Sequence, residues 1–343
     1  MRRLIPGAAR AATLAALLAA GSAAAQPAQL KLATFGPPQS FFYVEVVLPW
    51  AEAVSRDSGG TVEIKHFGGG VLGNAGNMFD TVMSGAADIG WAIQGSLPSK
   101  FVKSTIIELP FGYDSGESGA VAYWRLYQRG LIASDYEGTK PFGFTAWPAA
   151  AIQTKSKKVE KLEDLKGLKL RVSGKLQADT VVALGAVPLA IPVDEIYTSI
   201  DKGVIDGAYA SFTATRSFRL QEVARYFLDA PLNGAGGMLV MSEANFAKLP
   251  ATAKTAFEKN SGESVSRALG RSNDAEVVRL TAMLADLSKQ GKVQPMYKLS
   301  DAERARWAKA VEPVIDEWVK RTPDGKAILD AFRAEVAAAK KGS

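Results

Sequence analysis

One stretch of the chain decides its fold class: Thr61-Val62-Glu63-Ile64-Lys65-His66-Phe67-Gly68-Gly69-Gly70-Val71-Leu72-Gly73. Its first half alternates apolar and polar residues, which predicts a β-strand, and its second half is a glycine-rich turn. A helix is predicted over residues 75–84 and another strand over residues 87–91. Upstream, residues 30–35 predict a first strand, and Ser40 is placed to cap the helix that follows. This strand-helix-strand-helix-strand order predicts an α/β fold with a parallel sheet.

The same pattern begins again after Pro141. Strands are predicted over residues 142–147, 168–172, 204–208 and 239–241, and helices over residues 176–184 and 194–200. From Pro250 to Gln290 the pattern is helical, and Gly262 and Gly270 are expected to weaken the helix without ending it. Ser300-Asp301-Ala302-Glu303 forms a capping box, and a turn over residues 322–325 precedes a last amphipathic helix. Two α/β halves without a flexible linker predict two lobes joined by structured crossovers.

The first 25 residues are predicted to be a secretory signal peptide. Arg2, Arg3 and Arg10 precede a short apolar run, and Ala23-Ala24-Ala25 forms an A-x-A site, so cleavage is expected after Ala25. The apolar run is too short for a membrane span, which needs about 20 residues. We therefore expect an exported protein that is not itself embedded in the membrane.

Composition excludes several kinds of chemistry. The 343 residues include no cysteine and one histidine, so a disulfide framework, a thiol nucleophile and a cysteine-ligated or multi-histidine metal site are all excluded. The net charge is +6, and half of it belongs to the signal peptide. The remaining +3 is too mild to indicate a nucleic-acid partner. We expect no metal and no cofactor.

Two motifs suggest enzymes but lack the rest of their patterns. Residues 68–73 match G-x-G-x-x-G, yet no acidic residue ends a following strand at the position that a dinucleotide site needs, so a glycine-rich turn is the better interpretation. Residues 66–69 (His-Phe-Gly-Gly) loosely resemble an esterase oxyanion loop, but a serine hydrolase of the α/β type also needs G-x-S-x-G and a histidine late in the chain, and neither is present. We predict no catalytic residues, although an exported enzyme on a bilobal scaffold stays an alternative.

Aromatic residues recur where predicted strands end. In parallel α/β sheets, ligands bind outside the carboxyl ends of the strands, so these side chains are candidates for a pocket. For any single one, packing in the core is an equally good explanation. The aromatic candidates are Phe41, Trp91, Trp147, Tyr209 and Phe212.

Four groups of motifs then indicate a family. They are Gly70-Val71-Leu72-Gly73 with Gly85-Ala86-Ala87-Asp88, Glu108-Leu109-Pro110-Phe111, the run from Leu162 to Val172 (LEDLKGLKLRV), and Pro188 with Glu195-Ile196-Tyr197 and Gly203-Val204-Ile205-Asp206-Gly207. In order and spacing, the chain resembles the extracytoplasmic solute-binding proteins of TRAP transporters, the DctP-like group. The resemblance covers nearly the whole mature chain.

The resemblance implies a bilobal fold like that of periplasmic binding proteins, with two α/β domains, a cleft and a long connecting helix. It implies lobe I over residues 26–150 plus about 236–276, and lobe II over residues 151–235 plus about 277–343. The function it implies is capture of a carboxylate-containing organic acid and delivery to the membrane permease subunits of a TRAP transporter, not catalysis. We expect a monomer. A ligand sensor that serves a membrane receptor is a further alternative.

The resemblance also implies a role for Arg171, which occupies the position of the family's signature arginine. A guanidinium group offers two parallel donors to a carboxylate, so it fixes orientation as well as charge. Family members often carry Asn where this chain has Ala210, and some have a second Arg where it has Ala151. Both changes remove polar contacts, which predicts a ligand with an apolar or aromatic part. The predicted ligand-binding residues are Arg171, Trp147, Trp91, Phe41, Gln94, Tyr209, Phe212 and Ser211.

Overall fold

A computed structural model describes residues 26–147, 150–232 and 234–341. The predicted signal peptide and its cleavage site lie outside the described residues. Among the helices of these three ranges, none is both long enough and apolar enough to cross a membrane.

Strands and helices alternate along the chain, as predicted. The strands are β1 (Ala28–Ala33), β2 (Val62–Phe67), β3 (Ile89–Ile93), β4 (Thr139–Ala146), β5 (Ala150–Thr154), β6 (Lys169–Val172), β7 (Val187–Ala190), β8 (Gly207–Ser211), β9 (Tyr226–Leu232), β10 (Gly236–Ser242) and β11 (Tyr297–Lys298). The α-helices are α1 (Leu48–Asp57), α2 (Met78–Met83), α3 (Gly116–Gln128), α4 (Lys175–Ala183), α5 (Ile196–Asp201), α6 (Phe212–Ser217), α7 (Glu243–Lys248), α8 (Ala251–Lys259), α9 (Glu263–Lys289), α10 (Asp301–Arg321) and α11 (Gly325–Lys341). A π-helix (Tyr43–Val47) precedes α1, and 3₁₀ turns lie at Gln94–Ser96, Lys103–Glu108, Ala133–Tyr136, Leu162–Leu165, Val193–Glu195 and Leu220–Glu222.

The strands form two sheets, and each sheet is the centre of one lobe. The first lobe has five strands in the order β2-β1-β3-β10-β4, in which β1 pairs in parallel with β2 and β3. Strand β10 runs antiparallel between β3 and β4. The second lobe has six strands in the order β11-β9-β5-β8-β6-β7, with β6 parallel to both β7 and β8. The carboxyl ends of parallel strands from both lobes lie at the cavity that is described below.

Helix α9 connects the two lobes and is the long helix that was predicted. Near its beginning, Leu269 packs in the core of the first lobe, and the Ser266 hydroxyl accepts a hydrogen bond from the Phe144 amide at 3.0 Å. Toward its end, Leu280 and Leu284 pack in a separate apolar cluster with residues of the second lobe. One rigid helix therefore contributes side chains to both lobes.

The helical pattern is interrupted at Gly262, which precedes the first residue of α9, so the prediction that Gly262 weakens the helix without ending it is wrong. Its φ of 97° lies outside the helical region, and α8 stops at Lys259 before α9 starts at Glu263. Gly270 stays inside α9 as predicted. A Cβ at Gly270 would overlap the Gly116 carbonyl, so glycine is needed where α9 crosses the start of α3.

The C-terminal helices differ from the expected division, which assigned residues 277–343 to the second lobe. The Ser300 hydroxyl accepts a hydrogen bond from the Glu303 amide at 3.3 Å and starts α10, as the capping box predicts. Trp307 of α10 packs in the second lobe, but Trp318 of the same helix packs in the first. Helix α11 then packs against α3 through Phe332 and its apolar neighbours. Helix α10 therefore packs against both lobes, and the chain ends against the first lobe.

Candidate functional site

A cavity lies between the lobes, at the carboxyl ends of β1, β6 and β8. Its volume is about 730 Å³ including the open mouth. Most of the lining is aromatic or aliphatic, and the polar side chains are those of Arg171 and Gln177 with five serine and threonine hydroxyls. The lining residues are Phe35, Gly36, Pro37, Ser40, Phe41, Phe42, Tyr43, Trp91, Ile93, Trp147, Arg171, Ser173, Gln177, Val193, Ala210, Ser211, Thr213, Ala214, Ser217, Phe218 and Ala235.

The first lobe supplies an aromatic wall. The chain leaves β1 at Gly36, whose amide donates a hydrogen bond to the Tyr43 hydroxyl at 3.1 Å. A Cβ at Gly36 would come within 2.9 Å of that hydroxyl, so only glycine fits there without a shift. The π-helix that contains Tyr43 inserts an extra residue in its turn, and such turns are common at functional sites. The turn brings Phe41, Phe42 and Tyr43 together in one wall.

Two tryptophans continue this wall. Trp91 lies in the middle of β3 rather than at its end, and its ring meets the Phe42 ring edge-on with 4.4 Å between centroids. Trp147 follows β4 and stands perpendicular to Trp91 at 6.0 Å. Edge-to-face packing of this kind stabilises aromatic clusters beyond the burial of their area. The rings hold one another in place and offer a rigid apolar surface.

Arg171 faces the aromatic wall from the second lobe. It lies on β6, is 5% exposed, and its Nε donates a hydrogen bond to the Ile191 carbonyl at 2.7 Å. Among the described residues, its two terminal nitrogens have no hydrogen-bond partner and no carboxylate within 4.0 Å. Burial lowers the pKa of Arg171 to about 10, while the charges of Asp194 and Glu108 raise it. The guanidinium therefore stays charged at neutral pH and presents free donors to the cavity.

Glu108 is a buried acid near Arg171 that begins one of the family motifs but is not among the predicted ligand-binding residues. Burial raises its pKa to about 7, and the charge of Arg171 acts in the opposite direction. Within the described ranges its carboxyl group accepts no hydrogen bond, and a Cβ at Gly95 would overlap its Oε1. Its signals in the sequence were its place in that motif and its position as an acidic residue inside the apolar run at residues 106–111.

Hydroxyl groups line the remaining edge of the cavity. The Ser211 hydroxyl accepts a hydrogen bond from the Thr213 amide at 3.3 Å and shares another with the Thr213 hydroxyl at 2.9 Å. These bonds cap the start of α6. Ser40 and Ser217 add two more hydroxyls near the mouth.

An ion-pair network lies beside the mouth. Glu276 of α9 is fully buried and accepts hydrogen bonds from Arg216 at 2.5 Å and from Arg279 at 2.8 Å. Arg279 also pairs with Glu45 of the first lobe at 3.0 Å, and its guanidinium lies 5.8 Å from the centre of the Phe41 ring. The network therefore connects Glu45 and Phe41 of the first lobe with Arg216 of α6 and Glu276 of α9.

Five of the eight predicted ligand-binding residues line the cavity. Phe41, Trp91, Trp147, Arg171 and Ser211 are brought together in this way. The side chain of Ala151 is outside the described part, whereas Ala210 lines the cavity.

The other three predicted residues do not line it. Gln94 donates a hydrogen bond to the Tyr136 hydroxyl at 3.2 Å inside the first lobe. Tyr209 is buried in the core of the second lobe, because neighbouring residues of a strand face opposite sides and its neighbour Ala210 faces the cavity. Phe212 packs against Leu280 and Leu284 of the long helix.

The polar groups that could suggest an enzyme have other partners. The amides of Gly69 and Gly70 donate to the carbonyls of Gly36 and Thr34 at 2.9 and 3.1 Å, so the glycine-rich turn does not offer them to a phosphate. His66 shares a 2.7 Å hydrogen bond with Thr34. Across the described part of the chain, no three acidic or histidine side chains are grouped as metal ligands would be.

The sequence also matches a known family. A family model described as bacterial extracellular solute-binding protein, family 7 (DctP) matches residues 32–322. Among curated relatives, a solute-binding protein of Verminephrobacter eiseniae (strain EF01-2) is 24% identical over 289 residues, which is 83% of each chain.

Solved structures share the fold. A TRAP solute-binding protein from Rhodoferax ferrireducens T118, in complex with copurified benzoate, is 26% identical with a TM-score of 0.85, and the match covers 91% of this chain and 98% of that one. A TRAP periplasmic solute-binding protein from Bordetella bronchiseptica, with bound (R)- and (S)-mandelate, is 26% identical with a TM-score of 0.82. The match covers 91% of this chain and 99% of that one. The family match spans most of the chain and both lobes. The chain therefore belongs to family 7 of the bacterial extracellular solute-binding proteins, the DctP-like receptors of TRAP transporters.

Proposed function

We propose that this receptor binds an aromatic monocarboxylate in the cavity between its lobes, with Arg171 holding the carboxylate. The observation that carries the proposal is the pair of free terminal nitrogens on a buried arginine that faces an aromatic wall. A buried cation without a partner is costly, and a ligand carboxylate supplies the missing charge. In a cavity with little water, this charge-assisted pair is stronger than it is at the surface.

The rest of the lining supports an aromatic ligand over a sugar acid. Phe41, Trp91 and Trp147 offer flat apolar surfaces, whereas a sugar acid needs a polar partner for each of several hydroxyls. Ala210 adds only a methyl group to the opposite wall. The similar proteins that hold benzoate and mandelate support the same ligand class.

Capture and delivery, rather than turnover, follow from this arrangement. The two lobes close over the ligand by a hinge motion, which requires that the ligand bind the closed state better than the open one. We propose that the protein is a monomer, that it is exported to the periplasm and cleaved after Ala25, and that its closed form docks on the two membrane subunits of a permease. We expect that the bound acid is released unchanged.

Calorimetry with benzoate, mandelate and glucuronate tests the proposal. Wild type should bind the two aromatic acids and not the uronate. Arg171→Ala should weaken aromatic-acid binding at least roughly 30-fold, because removing one partner of a buried ion pair costs about 2–5 kcal/mol. Arg171→Lys should recover only part of the affinity, since an ammonium cannot form the forked pair.

The matched control is Arg333→Ala, which removes an exposed arginine on α11. It should bind as wild type does, and circular dichroism should show that all variants are folded. Binding of glucuronate alone would refute the aromatic class, and unchanged affinity in Arg171→Ala would refute the role of Arg171.

A further inference from the structure

Gln177 is a buried amide that lines the ligand cavity and has one free end. It lies on α4, is 2% exposed, and its Oε1 accepts a hydrogen bond from the Ser173 amide at 2.9 Å. A backbone amide can only donate, so the oxygen of the side chain must face Ser173. The Nε2 group therefore faces away from Ser173, and its orientation is fixed.

No described residue accepts a hydrogen bond from Gln177 Nε2, yet this nitrogen is not enclosed by protein atoms. Gln94 and Gln153 differ, because each has an unpaired side-chain atom that the protein encloses completely. The accessible face of Gln177 is the cavity. Since an unpaired buried donor costs free energy, a ligand acceptor at this position is favoured.

Gln177 and Arg171 are positioned by the same short segment. Strand β6 carries Arg171, the chain turns at Ser173 and Gly174, and α4 begins at Lys175. Arg171 is held by the Ile191 carbonyl, and Gln177 is held by the Ser173 amide. Each side chain therefore has one end fixed by the backbone and free N–H donors in the cavity.

We propose that Gln177 is a second ligand-binding residue, whose Nε2 donates a hydrogen bond to an oxygen of the ligand carboxylate beside Arg171. This inference rests on the proposed function and makes the head-group site more specific. A fixed neutral donor next to a cation selects an oxygen acceptor and disfavours an ammonium or amide N–H at the same position.

The main competing explanation is structural: Gln177 only holds the turn at Ser173. Two variants separate the roles. Gln177→Glu keeps an oxygen that can accept from the Ser173 amide but replaces the donor with a carboxylate oxygen. Gln177→Met removes both groups at similar volume and adds no charge. Gln177→Met adds no charge near the ligand and therefore decides between the roles. A purely structural role predicts that benzoate affinity falls only together with the melting temperature of the unliganded protein, whereas the donor role predicts a loss of affinity while that temperature stays close to wild type.

The test is titration calorimetry with benzoate at pH 7.5, together with thermal unfolding without ligand. We expect Gln177→Met to bind benzoate roughly tenfold or more weakly, as for a lost hydrogen bond to a charged group, and Gln177→Glu more weakly still. Gln39→Glu is the matched control, since it makes the same change on an exposed residue at the mouth, and it should bind within about twofold of wild type.

Benzoate affinity within twofold of wild type in Gln177→Met would overturn the inference, whatever its melting temperature. Equal losses in Gln39→Glu and Gln177→Glu would overturn it as well, because they would indicate a long-range charge effect. If wild type binds only another carboxylate, the proposed aromatic class fails. The same titrations with that carboxylate then still decide the role of Gln177.

Discussion

Replacing Glu108 with Gln should change how the stability of the protein depends on pH. Glu108 lies in the 3₁₀ turn before Leu109, is 2% exposed, and accepts no hydrogen bond from the described residues. Burial raises its pKa from 4.5 to about 7, although the charge of Arg171 opposes the shift. Glutamine has the shape of the protonated acid and cannot ionise, so the variant isolates the cost of a buried charge.

The sign follows from proton linkage. Because the folded state holds this proton more tightly than the unfolded state, the stabilisation by protonation is complete below pH 4.5 and is lost as pH rises through 7. Between pH 5 and pH 8, Glu108 should cost the folded state about 2–3 kcal/mol. For a chain of this length, with an unfolding entropy of roughly 0.7 kcal/mol/K, this free energy corresponds to about 4 °C in Tm.

Thermal and urea unfolding of wild type and Glu108→Gln at pH 5 and pH 8 measure the effect. The variant should resemble wild type at pH 5 and be more stable at pH 8 by about 2–3 kcal/mol. Other titrating groups cancel in the difference between the two proteins. Glu52→Gln removes an exposed carboxylate and should show no such divergence. If Glu108→Gln and wild type lose stability in parallel from pH 5 to pH 8, the reasoning about Glu108 is refuted.

Two further experiments test the packing around the site. Gly95→Ala places a Cβ onto Glu108 Oε1 and should destabilise the protein by about 1–3 kcal/mol. In a double-mutant cycle with Glu108→Ala, which creates the missing space, the two effects should not add; strict additivity would contradict the contact. Phe212→Ala should cost about 3–5 kcal/mol of stability but leave benzoate affinity unchanged, because Phe212 packs against α9 and does not line the cavity. Phe41→Ala, in the aromatic wall, should weaken benzoate binding, and calorimetry that found the same loss in both variants would contradict this assignment.

Local patterns predicted much of the fold because their causes are local. Alternating apolar residues predicted the parallel strands, and the spacing from Ser300 to Glu303 predicted the start of α10. Gly262 shows the limit of such reasoning. Glycine tolerates both a helix interior and a positive φ. In the folded chain Gly262 has a positive φ, and its amide donates a hydrogen bond to the Phe142 carbonyl of β4 at 2.8 Å, a partner 120 residues away in the sequence.

The candidate site was predictable in type but not in detail. The motif around Arg171 indicated a carboxylate, and aromatic residues after strands indicated an apolar pocket. Whether Tyr209 or Ala210 faces that pocket depends on which side of the second sheet is covered. The free end of Gln177 depends on a single hydrogen bond to Ser173, which no sequence pattern records.

The sequence by itself determined the α/β class, the bilobal family fold and the arginine that the cavity is built around, because these depend on periodicity and on motifs of fixed spacing. The tertiary structure alone decided which aromatic rings meet, which amide keeps a free donor, and that burial brings the pKa of Glu108 to about 7. Burial and orientation are set by residues distant in the chain. They become defined only when both lobes and the helix between them are in place.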